Sequence, residues 1–486
     1  MKKKILYIGI LGVMAFSSCK KELVQTPSNG ISSDIVFNNP GDFDLATKGM
    51  YAGLRGQASY LGGESVLFGD ILSDNMIINS TGRRSYQEFN RWIYSSNSTS
   101  GLFGNAYSVI RRANAILLNI DKLPAGASKN NITAEALAVR AMAHFDVLRL
   151  YAKRYTAATE NTDLGIPFVT SIDVSLLPSR NTMKESYDKI IADFVQAEGL
   201  ANVSNGVGRL NKAAIIGLLS KVYLNKSDWA NAAAAADRAL AVAPGTSDNP
   251  GSAADVPNIF IDATEKGVMF KIKMLDEDNV KIGTYYSQTI GSDGTKSEYV
   301  PTFDFYSLYT ATDVRKAAYI KTGLYVPAST TYNHVAKWLS RPGSTANILD
   351  YKVLRVAEVL LNKAEAYAQN SSVKDEAKAL ATLNILRAQR YVPYVAGTET
   401  GAALLAAIDK ERRLELAFEG HRFYDLKRQN VAIVRDAVHG DNSNGNGAPI
   451  PAAYVTLPAN SKNWAMPFPQ SEININKNLV QDPEWK

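Results

Sequence analysis

The strongest constraint on this chain is a pattern that occurs twice: a run with helical apolar spacing, a short polar turn, and a second run rich in alanine. Over 211–224, Ile215, Leu218, Leu219 and Val222 fall on one stripe, and Ser227 restarts a helix that reads WANAAAAADRALA. The turn 225–228 is too short to let the two helices separate, and the alanines allow close approach, so the segment predicts a helical hairpin. The second copy is LRVAEVLLNKAEAYAQ (354–369), a turn at 370–372, and KDEAKALATLNILRAQR. The copies lie about 140 residues apart, so they are not tandem repeats. Spacing predicts further helices over 43–54, 102–120, 134–151, 182–200 and 404–418, and Thr182 with Glu185 forms a capping box that starts one of them.

Between the helices lie turn-rich stretches with poor helical spacing, 57–100, 244–350 and 431–486, which hold many of the aromatics. Loops of this length are functional or carry small sheets of their own. Tyr223, Trp229 and the alanine positions resemble a tetratricopeptide unit. The expected fold class is therefore mainly α: four tetratricopeptide-like helical hairpins form a scaffold, with long loops and short strands on one side. Apolar residues at 46% and charged residues at 21% suit such a body. The net charge is +6, but Lys2, Lys3 and Lys4 supply three of the positive charges, so the basic balance does not point to nucleic acid.

Those lysines precede twelve mostly apolar residues, 5–16, and then Ser17, Ser18 and Cys19, which is the order of a secretory signal peptide. Twelve residues are too few to span a bilayer, which takes about 20. Cys19 is the chain's one cysteine, so no internal disulfide and no cysteine-based metal cluster can form. Its position after two small residues resembles the lipobox of bacterial lipoproteins, with Phe16 where leucine is usual. The expected organisation is a signal peptide over 1–18, a lipidated Cys19 with a polar tether over 19–33, and one body over 34–486, its parts meeting near 243/244.

Six segments then carry a wider resemblance: VRAMAHFDVLRLYA (139–152), GIPFVT (165–170), RNTMKESYDKIIADF (180–194), DYKVLRVAEVLLNKAEAY (350–367), ERRLELAFEGHRFYDLKR (411–428) and AMPFPQSEININKNLVQDP (465–483). In this order they resemble the SusD/RagB family of Bacteroidetes surface lipoproteins. The chain departs at Met466, where isoleucine is commoner, and at Asp482-Pro483-Glu484, where the family ends Asn-Pro-Gly. The resemblance implies a nutrient-binding protein held in the outer membrane by a lipid anchor, facing outward. Its implied partner is a SusC-like TonB-dependent outer-membrane transporter, and its ligand a glycan or, as in RagB-like members, a peptide.

Catalytic templates are missing from the sequence: no His-Glu-x-x-His, no P-loop and no Gly-x-Ser-x-Gly occurs, and the four histidines lack metal-ligand spacing. A carboxylate pair that converges only in space would leave no such trace. The charged run ERRLELAFEGHRFYDLKR reads as structural, with Glu411 and Glu415 pairing arginines above Leu414 and Phe418. Asp441, Ser443 and Gly445 faintly match a calcium loop, but Ala452 stands where the closing acid belongs, so the segment reads as a turn. The expectation is a binding protein that is not an enzyme and uses no cofactor and no metal.

A sugar presents a polar rim and a C–H face, so its binder needs hydrogen-bonding side chains beside flat aromatics. Asp74 and Asn75 resemble the family's acidic–amide pair; Arg83 and Arg84 follow, then Trp92 and Tyr94. Tyr285, Tyr286, Tyr299 and Trp338 lie in the 244–350 stretch. The expected ligand-binding set is Asp74, Asn75, Arg83, Trp92, Tyr94, Tyr285, Tyr286 and Trp338, with Trp92 as an exposed stacking platform.

Overall fold

The computed structural model describes residues 37–485 except 57–59, 279, 281 and 345–346. The expected signal segment, Cys19 and the expected tether lie outside the described residues.

Helices dominate the body, and their starts are chemically marked. At α1 (Pro40–Arg55), Asn39 and Asp42 form a reciprocal cap, and Pro40 occupies a first-turn position where its missing N–H costs nothing. After α2 (Glu64–Ile71), α3 (Leu102–Asn119) and α4 (Ala127–Tyr151), α5 (Met183–Leu200) begins at the Thr182–Glu185 capping box. α4 starts seven residues before the expected 134, because Asn131 in its polar first turns is buried and donates to Glu135 at 2.7 Å. The two hairpins follow as α6 (Lys212–Asn225) with α7 (Trp229–Ala241), and α8 (Val356–Ala368) with α9 (Glu376–Arg387). Successive helices pack on one another from α3 through α9. The two hairpins, far apart in sequence, are neighbours in space: α7 packs on α8, and Leu224, Ala232, Ala233 and Ala366 form a small core beneath Tyr223, Trp229 and Tyr367. Among the described residues no helix is long and apolar enough to cross a membrane.

The turn-rich stretches contribute antiparallel strand pairs. β1 (Met76–Ile78) pairs with β3 (Tyr299–Pro301) in the register Ile77 to Val300, which joins the N-terminal loops to the second half. β2 (Val268–Ile272) pairs with β6 (Tyr351–Arg355), and β4 (Ile320–Tyr325) with β5 (Thr330–Val335).

α10 (Gly401–Glu415) ends three residues before the expected 418, and α11 (Arg422–Gln429) follows. The cause is Asp70. Its carboxylate accepts the backbone N–H groups of Phe418 and Gly420, both at 3.0 Å, and so diverts residues that would extend the helix. Phe418 and Gly420 adopt left-handed φ angles of 66° and 85°. A Cβ on Gly69 would meet the Gly420 backbone at 2.1 Å, so this approach requires glycine.

The chemistry of the 411–428 run is structural, as its charge pattern suggests. Glu415 accepts from Arg355 at 2.7 Å and from Arg390 at 2.8 and 3.0 Å, with Arg315 at 3.3 Å. Glu419 accepts from Arg355 at 2.6 and 2.8 Å and from Lys337 at 2.6 Å. Glu411 takes Arg315 and Arg387. All are buried. Burial alone would raise the Glu415 pKa, but the charges of Arg390 and Arg355 outweigh it and hold the group well below the usual range. The C-terminal segment packs on α4 by similar means: Phe468 stacks on Tyr151 at 5.5 Å, and Arg180 lies over Phe468 and pairs with Asp482 at 3.1 Å.

His144 gives the fold a pH signature. Its Nε2 accepts from the Val169 N–H at 3.0 Å, so Nδ1 carries the proton and donates to the Arg140 carbonyl at 2.9 Å. Both bonds need the neutral ring, and burial, reinforced by the charges of Arg140 and Lys189, pulls its pKa down to about 3. A base depressed on folding gives stability that is complete above the unfolded pKa of 6.5 and is lost as the pH falls from there toward about 3. At pH 5 the loss through this group should reach roughly 2 kcal/mol. Urea unfolding of wild type and His144→Gln at pH 7 and pH 5 measures it. The wild type should lose about 2 kcal/mol more than the variant between the two pH values, and equal losses would refute the neutral-ring assignment.

Candidate functional site

Most of the residues expected to meet ligand are instead fasteners of the loops that carry them. Asp74 accepts from Arg422 at 2.9 and 3.1 Å and faces Arg413 at 3.2 Å. Burial opposes its charge, yet the two guanidiniums bring its pKa down to about 2. Asn75, fully buried, donates to Asp70 at 3.0 Å and accepts from Arg413 at 2.8 Å. Trp92 is 5% exposed and donates its indole N–H to the Leu72 carbonyl at 2.9 Å. Tyr94 is buried against Phe89, with its hydroxyl on the Asn463 carbonyl. Tyr286 and Tyr299 are buried, and Trp338 donates to the Phe418 carbonyl at 2.9 Å and stacks on Tyr351. The expectation that Trp92 and its companions present faces to solvent is therefore corrected: each indole or phenol ring needs the core, and its loop needs the ring. Two of the expected set remain accessible. Arg83 is exposed but committed to Glu298 at 2.8 Å, and half-buried Tyr285 leans on Tyr86, with ring centroids 5.6 Å apart.

Trp92 has a definite task. Arg435 lies over its ring at 3.9 Å and donates to the carbonyls of Ser73, Asn90, Ile71 and Tyr454. One buried guanidinium thus ties the 71–92 loop to the 448–454 loop from beneath. Burial lowers the Arg435 pKa to about 9, outweighing the opposing charge of Asp74.

Above that tie the two loops enclose a cleft of about 130 Å³, lined by Ile77, Ile78, Arg84, Gln87, Arg91 and Tyr454 among others. Arg91 lies over the Tyr454 ring, 4.9 Å from its centroid. Beneath, Ile77, Val300, Tyr332 and Ile450 form a small apolar cluster against which Tyr325 and Tyr454 pack. Asp441 braces the walls by accepting the Ser80 N–H at 2.7 Å and the Ala448 N–H at 2.8 Å, so the segment once compared with a calcium loop serves as a turn. Arg84, Tyr86 and Trp92 hold left-handed φ angles of 62°, 59° and 56°, a conformation that non-glycine residues pay to adopt and that clusters at functional sites. Tyr454, Arg91 and Gln87 were not picked out from the sequence. The signal was there in the proline-bracketed PIPAAY run (449–454), inside a stretch already recognised as turn-rich and aromatic.

A set of side chains with metal-ligand geometry also occurs among the described residues: ligand atoms of Asp304, Asp436 and His439 lie within 4.8 Å of one another. His439 Nδ1 sits 2.9 Å from Asp436 and 3.3 Å from Asp304, so the imidazole can bridge the carboxylates itself.

Trp92→Ala tests the corrected role. Removing a buried indole that supports Arg435 should cost about 3–5 kcal/mol of unfolding free energy. Urea unfolding with near-wild-type stability would restore the exposed-platform reading.

Comparison with known proteins agrees with this architecture. A family model described as the SusD family matches residues 268–485, and one described as "Starch-binding associating with outer membrane" matches 31–224. SusD-like protein P2 of Formosa agariphila is 25% identical over 99% of both chains. A SusD-like protein of Bacteroides ovatus is 24% identical over 88% of this chain and 82% of its own. A Bacteroides vulgatus crystal structure, named for a presumed sugar-binding role, superimposes with a TM-score of 0.79 at 26% identity, covering 93% of this chain and all of that one. With the helical scaffold, the six motif segments and these matches in agreement, the chain belongs to the SusD/RagB family.

Proposed function

We propose that the protein is a glycan-binding lipoprotein of the outer membrane, which captures a polysaccharide or oligosaccharide at the cell surface and passes it to a TonB-dependent transporter. The observation that carries the reading is the cleft at Tyr454: an aromatic face and hydrogen-bonding side chains on two loops tied from beneath. A pyranose has the matching surfaces, its C–H face for the tyrosine and its hydroxyls for Gln87 and the arginines. The cleft takes one unit of a longer chain, since whole drug-sized ligands occupy about 300 Å³ or more. The starch-binding description of the matched family and the sugar-binding name of the Bacteroides vulgatus relative support the ligand class. In this reading Cys19 carries the acyl chains. One chain gives only marginal residence, with a constant of about 10⁴ per molar, so several make attachment stable. A tethered binder meets its transporter at high effective concentration, and a weak, separable interface suffices. The ligand is handed on intact, so the protein binds without cutting.

Affinity gels cast with a panel of polysaccharides test the ligand class. One of them should retard the protein without release of new reducing ends, and Tyr454→Ala should weaken that retardation by roughly three- to tenfold with little change in melting temperature. Retardation by none, together with binding of peptides, would replace the glycan reading. Cys19→Ala should leave solution affinity unchanged and remove the protein from the outer membrane fraction. Its continued presence there would refute the lipid anchor.

A further inference from the structure

Many buried cations among the described residues meet a carboxylate, although Arg435 and Lys427 are held by backbone carbonyls instead. The half-buried and buried arginines at 140, 180, 355, 390 and 428 each meet a carboxylate. The two larger cavities hold acids beside their cations, although Arg154, which lines both, has no carboxylate partner among the described residues. In the one of about 270 Å³, Lys153 faces Glu484 and acids at 163 and 482 share the lining. In the one of about 500 Å³, Arg422 pairs with Asp409 and Arg428 with Glu365.

The Tyr454 cleft differs in the sign of its lining. Among the described residues Arg84 and Arg91 line it and no acidic residue does. Among the described residues Arg84 reaches only the Ser80 carbonyl, at 3.4 Å. Arg91 lies against the Tyr454 ring, and its Nε is buried with no hydrogen-bond partner among the described residues. The nearby acids are already engaged: Glu298 with Arg83 and the Ser85 N–H, Asp441 with the Ser80 and Ala448 N–H groups, and Glu88 with Ser98. A buried donor without a partner is costly; Arg149 shares an unpartnered Nε but meets Asp146 through its fork, whereas Arg91 meets no carboxylate among the described residues. Hydroxyls of a neutral sugar do not balance two guanidinium charges. A planar guanidinium matches the paired oxygens of a carboxylate or a sulfate ester, and such charge-assisted bonds are the strong ones.

Building on the glycan reading, we propose that this cleft selects an acidic sugar, one that carries a carboxylate or a sulfate ester, with Arg84 and Arg91 on the anion and Tyr454 along the ring.

Matched charged and neutral polymers test this with the full-length protein in affinity gels at low and high salt. The pairs are polygalacturonate with its methyl ester, and dextran sulfate with dextran. A charged member should retard the protein while its neutral twin does not, and added salt should weaken the effect. Retardation by polygalacturonate alone identifies a carboxylate, by dextran sulfate alone a sulfate ester, and by both the shared anion chemistry. Arg91→Gln and Arg84→Gln should each weaken it by about tenfold, Arg91→Lys should restore part of the loss, and Lys153→Gln at the distant cavity should change nothing. Melting curves confirm that the variants fold. Equal retardation by charged and neutral twins overturns the acidic-sugar inference and leaves glycan binding intact. Retardation that both glutamine variants keep would be unspecific attraction to a basic protein, which also overturns it, as does retardation by no member of either pair. The fate of the glycan reading is then decided by the broader polysaccharide panel.

Discussion

Everything else in the structure depends on how Glu415 and Glu419 are held. Two carboxylates without solvent are tolerable only because Arg355, Arg390, Arg315 and Lys337 converge on them with nearly every lone pair used. The donors come from separate pieces of chain: Arg355 from the end of β6, Arg390 from beyond α9, Arg315 and Lys337 from the loop region. Only one relative arrangement of these pieces lets all four cations reach. Removing one partner from such a cluster strands a buried charge and costs about 3–5 kcal/mol, so the cluster acts as a check on assembly even where its net contribution is small.

A second set of contacts passes that rigidity outward. Asp70 bends the chain after α10 by capturing the Phe418 and Gly420 N–H groups, and Asn75 and Asp74 extend the contact to Arg413 and Arg422. The 70–76 turn is thereby fixed to the charged core. From that turn, Arg435 reaches both walls of the cleft, with Trp92 as its support. The cleft is thus built on loops, but on loops whose backbone carbonyls are pinned by a buried guanidinium, and little ordering is left to be done when a ligand arrives.

Helical spacing made the scaffold legible. The stripes at 215–222 and 354–368 mark helices that the fold buries on nearly every face, and the Thr182–Glu185 box is a local signal that no tertiary contact needed to override. What spacing could not show was that hairpins 140 or so residues apart pack together, since contact across such a separation leaves no periodic trace. Nor could it show that α10 stops at Glu415, because the agent is Asp70, some 350 residues upstream. The candidate site was legible in part. The loop 70–97 lines part of the cleft, yet composition cannot tell an aromatic that opens on a cleft from one that anchors its loop. Trp92 and Trp338 have indole N–H groups that found backbone carbonyls, and a buried carbonyl in need of a donor is invisible in sequence. Tyr454 had no such partner and stayed at the surface.

On the proposed reading, the groups that recognise and the groups that support are separate. The side chains that open on the cleft, namely those of Tyr454, Gln87, Arg84 and Arg91, make none of the bonds that hold Glu415, Asp70 or Arg435; Tyr454 gives Arg435 only its backbone carbonyl. Substitution of these side chains leaves the backbone acceptors of Arg435 in place, whereas substitutions at Trp92, Asp74 or Arg435 would disturb the loops themselves. Recognition can vary in the first set only because the second set stays fixed.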